Sequence, residues 1–167
     1  VTSSQDAGRK VSDLYPALAG CELTYVAHEA AEFASAQLAF LTVPHTAAMA
    51  VAPGLLDAGV TVVDASADFR LRDAAAYETW YGVPHTAAHL LADAVYGLPE
   101  LGGRDALAGA RLVACPGCYP TAALLAIAPA LAAGIASPDG IVIDAKSGVS
   151  GAGRTPSATT HFVSANE

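Results

Sequence analysis

The stretch Ala114-Cys115-Pro116-Gly117-Cys118-Tyr119-Pro120-Thr121 runs into an apolar segment rich in alanine and leucine. This spacing puts Cys118 at the mouth of a helix. There the unpaired backbone N–H groups and the positive end of the helix dipole favour thiolate over thiol. Pro116 and Gly117 suit a sharp turn from strand to helix, and Pro120 falls in the first helical turn, which accepts a proline. The chemistry that fits is nucleophilic catalysis through a covalent acyl intermediate. The competing role is that of most free cysteines, a small buried hydrophobe. Cys115 lies in the apolar run Leu112–Cys115 and reads as core. Cys21 has no His, Asp or Cys at ligand spacing. Cys115 and Cys118 also form a C-x-x-C, so a redox dithiol stands as a third reading. With no second C-x-x-C and no H-x-x-x-H to complete a tetrahedral site, metal is not expected.

A second chemical motif is Lys146-Ser147-Gly148-Val149-Ser150-Gly151-Ala152-Gly153-Arg154-Thr155. It offers backbone N–H groups, hydroxyls and positive charge together, and its glycines allow close approach to an anion, a phosphate or a carboxamide. It is neither a G-x-x-x-x-G-K-[ST] nor a G-x-G-x-x-G loop. An ordinary surface loop is the plain alternative. Its pairing with a helix-capping cysteine some thirty residues earlier is more specific than either motif alone.

These residues need a scaffold, and the sequence supplies an alternating one. Strands are expected at Glu22–Ala27, Leu38–Val43, Val60–Asp64, Leu112–Cys115 and Ile141–Ala145. Helices are expected at Ala30–Ala36, His45–Ala58 (closed by Gly59) and Thr121–Ala133 (ended by Gly134). Buried apolar strands separated by helices predict β-α-β units and a doubly wound parallel sheet. Ligands of such sheets gather beyond the carboxyl ends of the strands, here the loops that begin at Pro44, Ala65, Pro116 and Ser147. Between Asp73 and Glu100 the pattern is irregular and aromatic, and packing is the favoured role. Asp68 and Arg70 read as a structural ion pair or turn support, and Glu100 as a turn residue after Pro99.

The 167 residues are 53% hydrophobic and 14% charged, with a formal charge of −8. This is the composition of a globular protein of one or two domains. The negative balance argues against nucleic acid or an anionic membrane surface as partner, but not against a small anionic substrate. Three cysteines without framework spacing point to a reducing, cytoplasmic compartment. The longest apolar stretch, Ala122–Ile135, contains Pro129 and is too short to span a bilayer. Val1 at the start and the apolar run near His161–Glu167 give both ends the look of a cut, as in a fragment.

In order and spacing the motifs resemble the N-acetyl-gamma-glutamyl-phosphate reductase family of arginine biosynthesis. The resemblance rests on Pro116–Thr121 and Lys146–Arg154, with support from Asp64–Leu71, Tyr96–Glu100 and Ala7–Lys10. It implies an oxidoreductase with a Rossmann-like NADP-binding domain, here residues 1–117 without its first strand. This would lead into the start of an α+β catalytic and dimerisation domain, residues 118–167. Cys118 would attack the acyl phosphate and hold a thioester, which NADP(H) reduces to N-acetylglutamate semialdehyde. The resemblance assigns cofactor contacts to Ser3 and Ser4 (the 2′-phosphate side), Pro44, His45, Ser147, Gly148, Ser150 and Gly151. It assigns the substrate's anionic groups to Arg154. It also implies a homo-oligomer at full length, a small-molecule substrate, and neither nucleic-acid nor membrane partners. The family's glycine-rich loop follows a strand that would precede Val1, and its acid/base histidine lies in a His-Arg-His segment that His161 does not match. The fragment is therefore expected to turn over little by itself. Alternatives are a related aspartate-semialdehyde or aminoadipyl-phosphate reductase, or a non-catalytic fragment.

Overall fold

Four short runs of β-branched and apolar residues pair side by side in the first part of the chain: β1 (Leu38–Leu41), β2 (Thr61–Asp64), β3 (Val95–Tyr96) and β4 (Leu112–Ala114). The computed structural model describes residues 1–28, 33–153 and 157–160. The chain divides into two compact units, Val1–Gly117 and Cys118–Glu167.

In the first unit the sheet is parallel, with strand order β1-β2-β4-β3. Register places Leu41, Asp64 and Ala114 in one row and Val62 and Leu112 in the next, all on one face and all buried. Side chains alternate along a strand, so Leu38 and Phe40 point to the opposite face, where Phe40 is 69% exposed. The helix α2 (Ala48–Asp57) crosses from β1 to β2 and buries Ala48, Met49, Ala52 and Leu55 on the covered face. Gly59 ends that crossover at φ +86°, a conformation that strains any residue with a Cβ.

The expected helix over His45–Ala58 starts later, at Ala48. Thr46 has φ +75°, the sole positive φ of a non-glycine among the described residues, and no helix continues through that conformation. The stretch Asp73–Glu100 is more regular than expected. It holds α3 (Ala74–Tyr81), β3, and the start of a one-turn helix, α4 (Pro99–Gly102), whose first turn contains Glu100. Asp73 accepts from Ala75 N–H at 2.9 Å and Gly82 turns out at φ +73°, an ordinary start and stop for a helix. Packing is indeed the role of Tyr77, which is fully buried, whereas Trp80 is 79% exposed.

The strand expected at Glu22–Ala27 is reduced to two isolated bridges, Thr2 with Val26 (parallel) and Lys10 with Thr24 (antiparallel). It gains no longer ladder among the described residues. A short helix, α1 (Val11–Leu14), follows directly on the second of these partners, Lys10. Of the expected helix Ala30–Ala36, residues 30–32 lie outside the described ones, and Phe33–Ser35 form a 3-10 turn.

The second unit is built on α5 (Cys118–Ala132). It starts three residues before the expected Thr121 and ends at Ala132, one residue short of the expected Ala133, with Gly134 following at φ +68°. The strand expected at Ile141–Ala145 is absent. An apolar run becomes a strand only where a neighbouring backbone completes its hydrogen bonds, and none pairs with it among the described residues. Val142 is accordingly 88% exposed.

Candidate active site

Cys118 is the first residue of α5 and is exposed. A helix start leaves backbone N–H groups without intrahelical partners, so charge that develops on a group bound there meets donors already aligned. Cys115, Pro116 and Gly117 span the gap between the last residue of β4 and this helix, with the Pro-Gly pair at the turn. Within the second unit Cys118 lines a pocket of about 400 Å³ together with Tyr119, Ala122, Lys146 and Ser147. The two motifs singled out in the sequence thus meet in one cavity.

The loop that brings Ser147 there folds tightly on itself. Gly151 N–H donates to the Gly148 carbonyl at 3.0 Å, and Val149–Ala152 form a 3-10 turn. A Cβ on Gly151 would lie 2.8 Å from Ser147 Oγ, too close for any real side chain without movement of the serine. Gly148, Ser150 and Gly151 belong to this loop but do not line the pocket. All three residues are exposed. Lys146, which sequence reasoning left without a role, forms an ion pair with Asp144 and lines the pocket. Arg154 lies outside the described residues.

In the first unit Ser3, Ser4 and Pro44 line a groove of about 590 Å³, along with His28, Thr42 and apolar residues of β1 and α2. Ser3 is tied into a small polar cluster. Its hydroxyl approaches the Asp6 carboxylate at 3.4 Å and accepts from Asp6 N–H at 3.2 Å, and Arg9 pairs with Asp6 at 3.0 Å. His45 is not part of the groove lining. Its Nδ1 accepts from Ala67 N–H at 3.1 Å, which places the proton of a neutral ring on Nε2.

The loop after β2 forms a buried network. Asp64, at the strand's carboxyl end, accepts from Ser66 N–H and Ser66 Oγ–H, both at 2.8 Å. Burial pushes the Asp64 carboxyl up, the two Ser66 bonds oppose this, and Asp68 adds to the rise. Asp68 accepts from Thr46 N–H (2.7 Å), Met49 N–H (3.0 Å) and Tyr77 O–H (2.8 Å). It thereby caps α2 from 19 and 22 residues away, because the helix's own N-cap, Ala47, has no side chain able to do so. The same carboxylate holds Thr46 in its unfavourable backbone conformation. Burial, then the bond to Asp68, pushes the Tyr77 hydroxyl well above its usual range.

Among the described residues no ion pair joins Asp68 and Arg70, so of the two expected roles turn support is the one present. Arg70 instead donates from Nε to the Cys115 carbonyl (2.7 Å) and from Nη2 to the Ala65 carbonyl (2.9 Å). These carbonyls sit just past the ends of adjacent strands, which the guanidinium clamps together. Cys115 is half-buried rather than fully in the core. Burial pushes its thiol up, with the nearby Asp64 carboxylate adding to this and Arg70 opposing it. A thiol held in that state is a poor nucleophile at neutral pH.

Residues 1–110 match the family model described as "Semialdehyde dehydrogenase, NAD binding domain", and residues 118–167 match "Semialdehyde dehydrogenase, dimerisation domain". The chain belongs to the semialdehyde dehydrogenase family. An N-acetyl-gamma-glutamyl-phosphate reductase from Halorhodospira halophila is 49% identical over 168 residues, covering 100% of this chain and 48% of the relative. One from Desulforudis audaxviator is 60% identical over 132 residues, covering 79% of this chain and 38% of that protein. The chain spans about half the length of the curated relatives it matches. Among solved structures, aspartate semialdehyde dehydrogenase II from Vibrio cholerae superposes with a TM-score of 0.54 at 16% identity, over 78% of this chain and 32% of that one. That likeness supports the Rossmann-like parallel fold. Among the described residues no helix is long and apolar enough to cross a membrane.

Proposed function

We propose that this chain is part of an NADP-dependent reductase that converts N-acetyl-gamma-glutamyl phosphate to N-acetylglutamate semialdehyde through a thioester on Cys118. The observation that carries this reading is Cys118 at the start of α5, sharing a pocket with Lys146 and Ser147. Such a site suits attack on an activated acyl group. The Cys118 sulfur forms a bond to the acyl carbon, and the carbon–oxygen bond to phosphate breaks with the electron pair leaving on phosphate. A thioester accepts hydride where a carboxylate does not. The names of the relatives supply the substrate, and Arg154 is proposed to hold its anionic groups.

The groove of the first unit suits a nucleotide. It lies beside the parallel strand β1 and reaches past that strand's carboxyl end, with Ser3, Ser4, His28 and Thr42 among its lining residues. Ser3 and Ser4 are proposed for the phosphate-bearing ribose, with Arg9 as the nearby cation that suits a 2′-phosphate. Pro44 and His45 are proposed at the strand end, and Ser147, Gly148, Ser150 and Gly151 as further cofactor contacts. When bound, the nicotinamide cofactor supplies the hydride. The protein is proposed to be cytoplasmic and homo-oligomeric. In support of the latter, the match to a dimerisation domain covers α5, whose Leu124 and Leu125 are exposed. Residues 1–117 form the cofactor-binding part and 118–167 the start of the catalytic domain in this reading.

The test is to offer the chain N-acetyl-gamma-glutamyl, aspartyl and aminoadipyl phosphates and map acylated peptides by mass spectrometry. The reading expects acylation at Cys118, fastest with the N-acetylglutamyl donor and lost in Cys118→Ser. Acylation elsewhere, or equal acylation of Cys118→Ser, would contradict it. Quenching of Trp80 or tyrosine fluorescence by NADPH and NADH then ranks the cofactors, with NADPH expected to bind more tightly.

A further inference from the structure

We propose that Lys146 is the residue that recognises the phosphate leaving group of the acyl donor, and that Asp144 holds it in place until the donor arrives. The inference rests on the reading of Cys118 as an acyl acceptor. Lys146 lines the same pocket as Cys118 and Ser147, and it is the cation of that lining. Attack by the Cys118 sulfur releases phosphate, so negative charge grows on oxygen atoms inside the pocket as the carbon–oxygen bond breaks. An ammonium group there stabilises that charge and discriminates an acyl phosphate from a neutral acyl donor.

The surroundings of Lys146 fit this role. Its Nζ is paired with Asp144, two residues away, and both side chains are more than three-quarters exposed. An exposed pair of this kind contributes little to stability, so an incoming phosphate can displace the carboxylate at small cost. Lysine also suits the task, since its compact charge on a flexible stem can follow the departing group. The rest of the lining, Tyr119, Ala122, Ala123 and Ile143 among it, brings no second cation.

The experiment compares acylation of Cys118 by acetyl phosphate and by p-nitrophenyl acetate, read as the acetylated Cys118 peptide, in the wild-type chain, Lys146→Met, Lys146→Arg and Asp144→Asn. Losing one charge-assisted contact in the transition state corresponds to about tenfold to a hundredfold in rate. In Lys146→Met the rate with acetyl phosphate is expected to fall at least tenfold further than the rate with the neutral ester. Lys146→Arg should recover most of that difference. In Asp144→Asn the acetyl phosphate rate should equal or exceed that of the wild type. Equal falls with both donors, which a merely structural role would give, overturn the role of Lys146 while leaving Cys118 as acceptor. Failure of wild-type Cys118 to be acylated by either donor overturns the acceptor reading and this inference with it.

Discussion

The loop Asp64–Arg70 and the loop Lys146–Gly153 follow segments that look alike in the sequence, yet their polar atoms have opposite fates. In the first, Asp64, Ser66 and Asp68 are fully buried and their side chains are committed to one another, to α2 and to Tyr77. In the second, hydroxyls and backbone groups are exposed, and the internal bonds are chiefly those of one tight turn. Polar groups already satisfied inside the fold have nothing left to offer a ligand. The first loop is therefore scaffold, whereas the second leaves its polar residues open to solvent, although both contain the charged and hydroxyl residues that mark a site.

This contrast can be broken at either loop. The largest effect is expected at Asp68→Ala, which strands the N–H groups of Thr46 and Met49 and the Tyr77 hydroxyl, and releases Thr46 from its positive φ. Chemical denaturation should show a loss of about 3–5 kcal/mol, on the scale for buried donors deprived of a charged acceptor. A loss under about 1 kcal/mol would mean the network is not what holds α2. Next comes Gly97→Ala. Its Cβ would lie 2.7 Å from Val113 Cγ1 across the β3–β4 pair, and overpacking of this kind costs about 1–3 kcal/mol in the same assay. Arg70→Ala removes the clamp on the Cys115 and Ala65 carbonyls and should cost about 1–2 kcal/mol, with Arg70→Lys recovering only part because lysine lacks the planar fork.

Asp64→Asn sharpens the comparison through pH. The folded-state carboxyl of Asp64 is raised above its unfolded value, so the native state binds more protons across the window between the two. Native stability contributed by this group is thus present below the ordinary aspartate range and declines as pH rises through the raised value. Stability measured from about pH 4 upward should shift progressively in favour of Asp64→Asn over wild type, and a pH-independent difference would contradict the burial of an ionising group there. The smallest expected stability effect belongs to the other loop. Ser147→Ala should change unfolding free energy by less than about 0.5 kcal/mol, while slowing acyl transfer or weakening nucleotide binding severalfold.

Much of the scaffold was legible because it rests on local rules. Continuous apolar runs at Leu38, Thr61 and Leu112 marked parallel strands, although β1, expected to be buried, leaves Leu38 and Phe40 exposed; Gly59 and Gly134 marked helix ends, and the Pro-Gly turn placed Cys118 at a helix start. What was not legible depends on partners remote in sequence. The late start of α2 follows from a carboxylate some 20 residues downstream that holds Thr46, and no local pattern reports such a cap. Asp73 and Gly82 did announce α3, but the aromatic residues between them masked the signal. The run at Ile141–Ala145 has the composition of a strand and no neighbour to pair with among the described residues, and composition alone does not supply one. Lys146 was visible as a charge in a glycine-rich loop, but only the fold puts it in a pocket with Cys118.

The most direct test of the account is the relative reactivity of its three cysteines. The chain would be treated with limiting iodoacetamide at neutral pH, and each cysteine peptide quantified over time by mass spectrometry. Cys118, exposed at the start of α5, should be modified fastest, and Cys115, half-buried beside Asp64 with its thiol pushed up, slowest. Modification of Cys115 or Cys21 at a rate equal to or above that of Cys118 would contradict it.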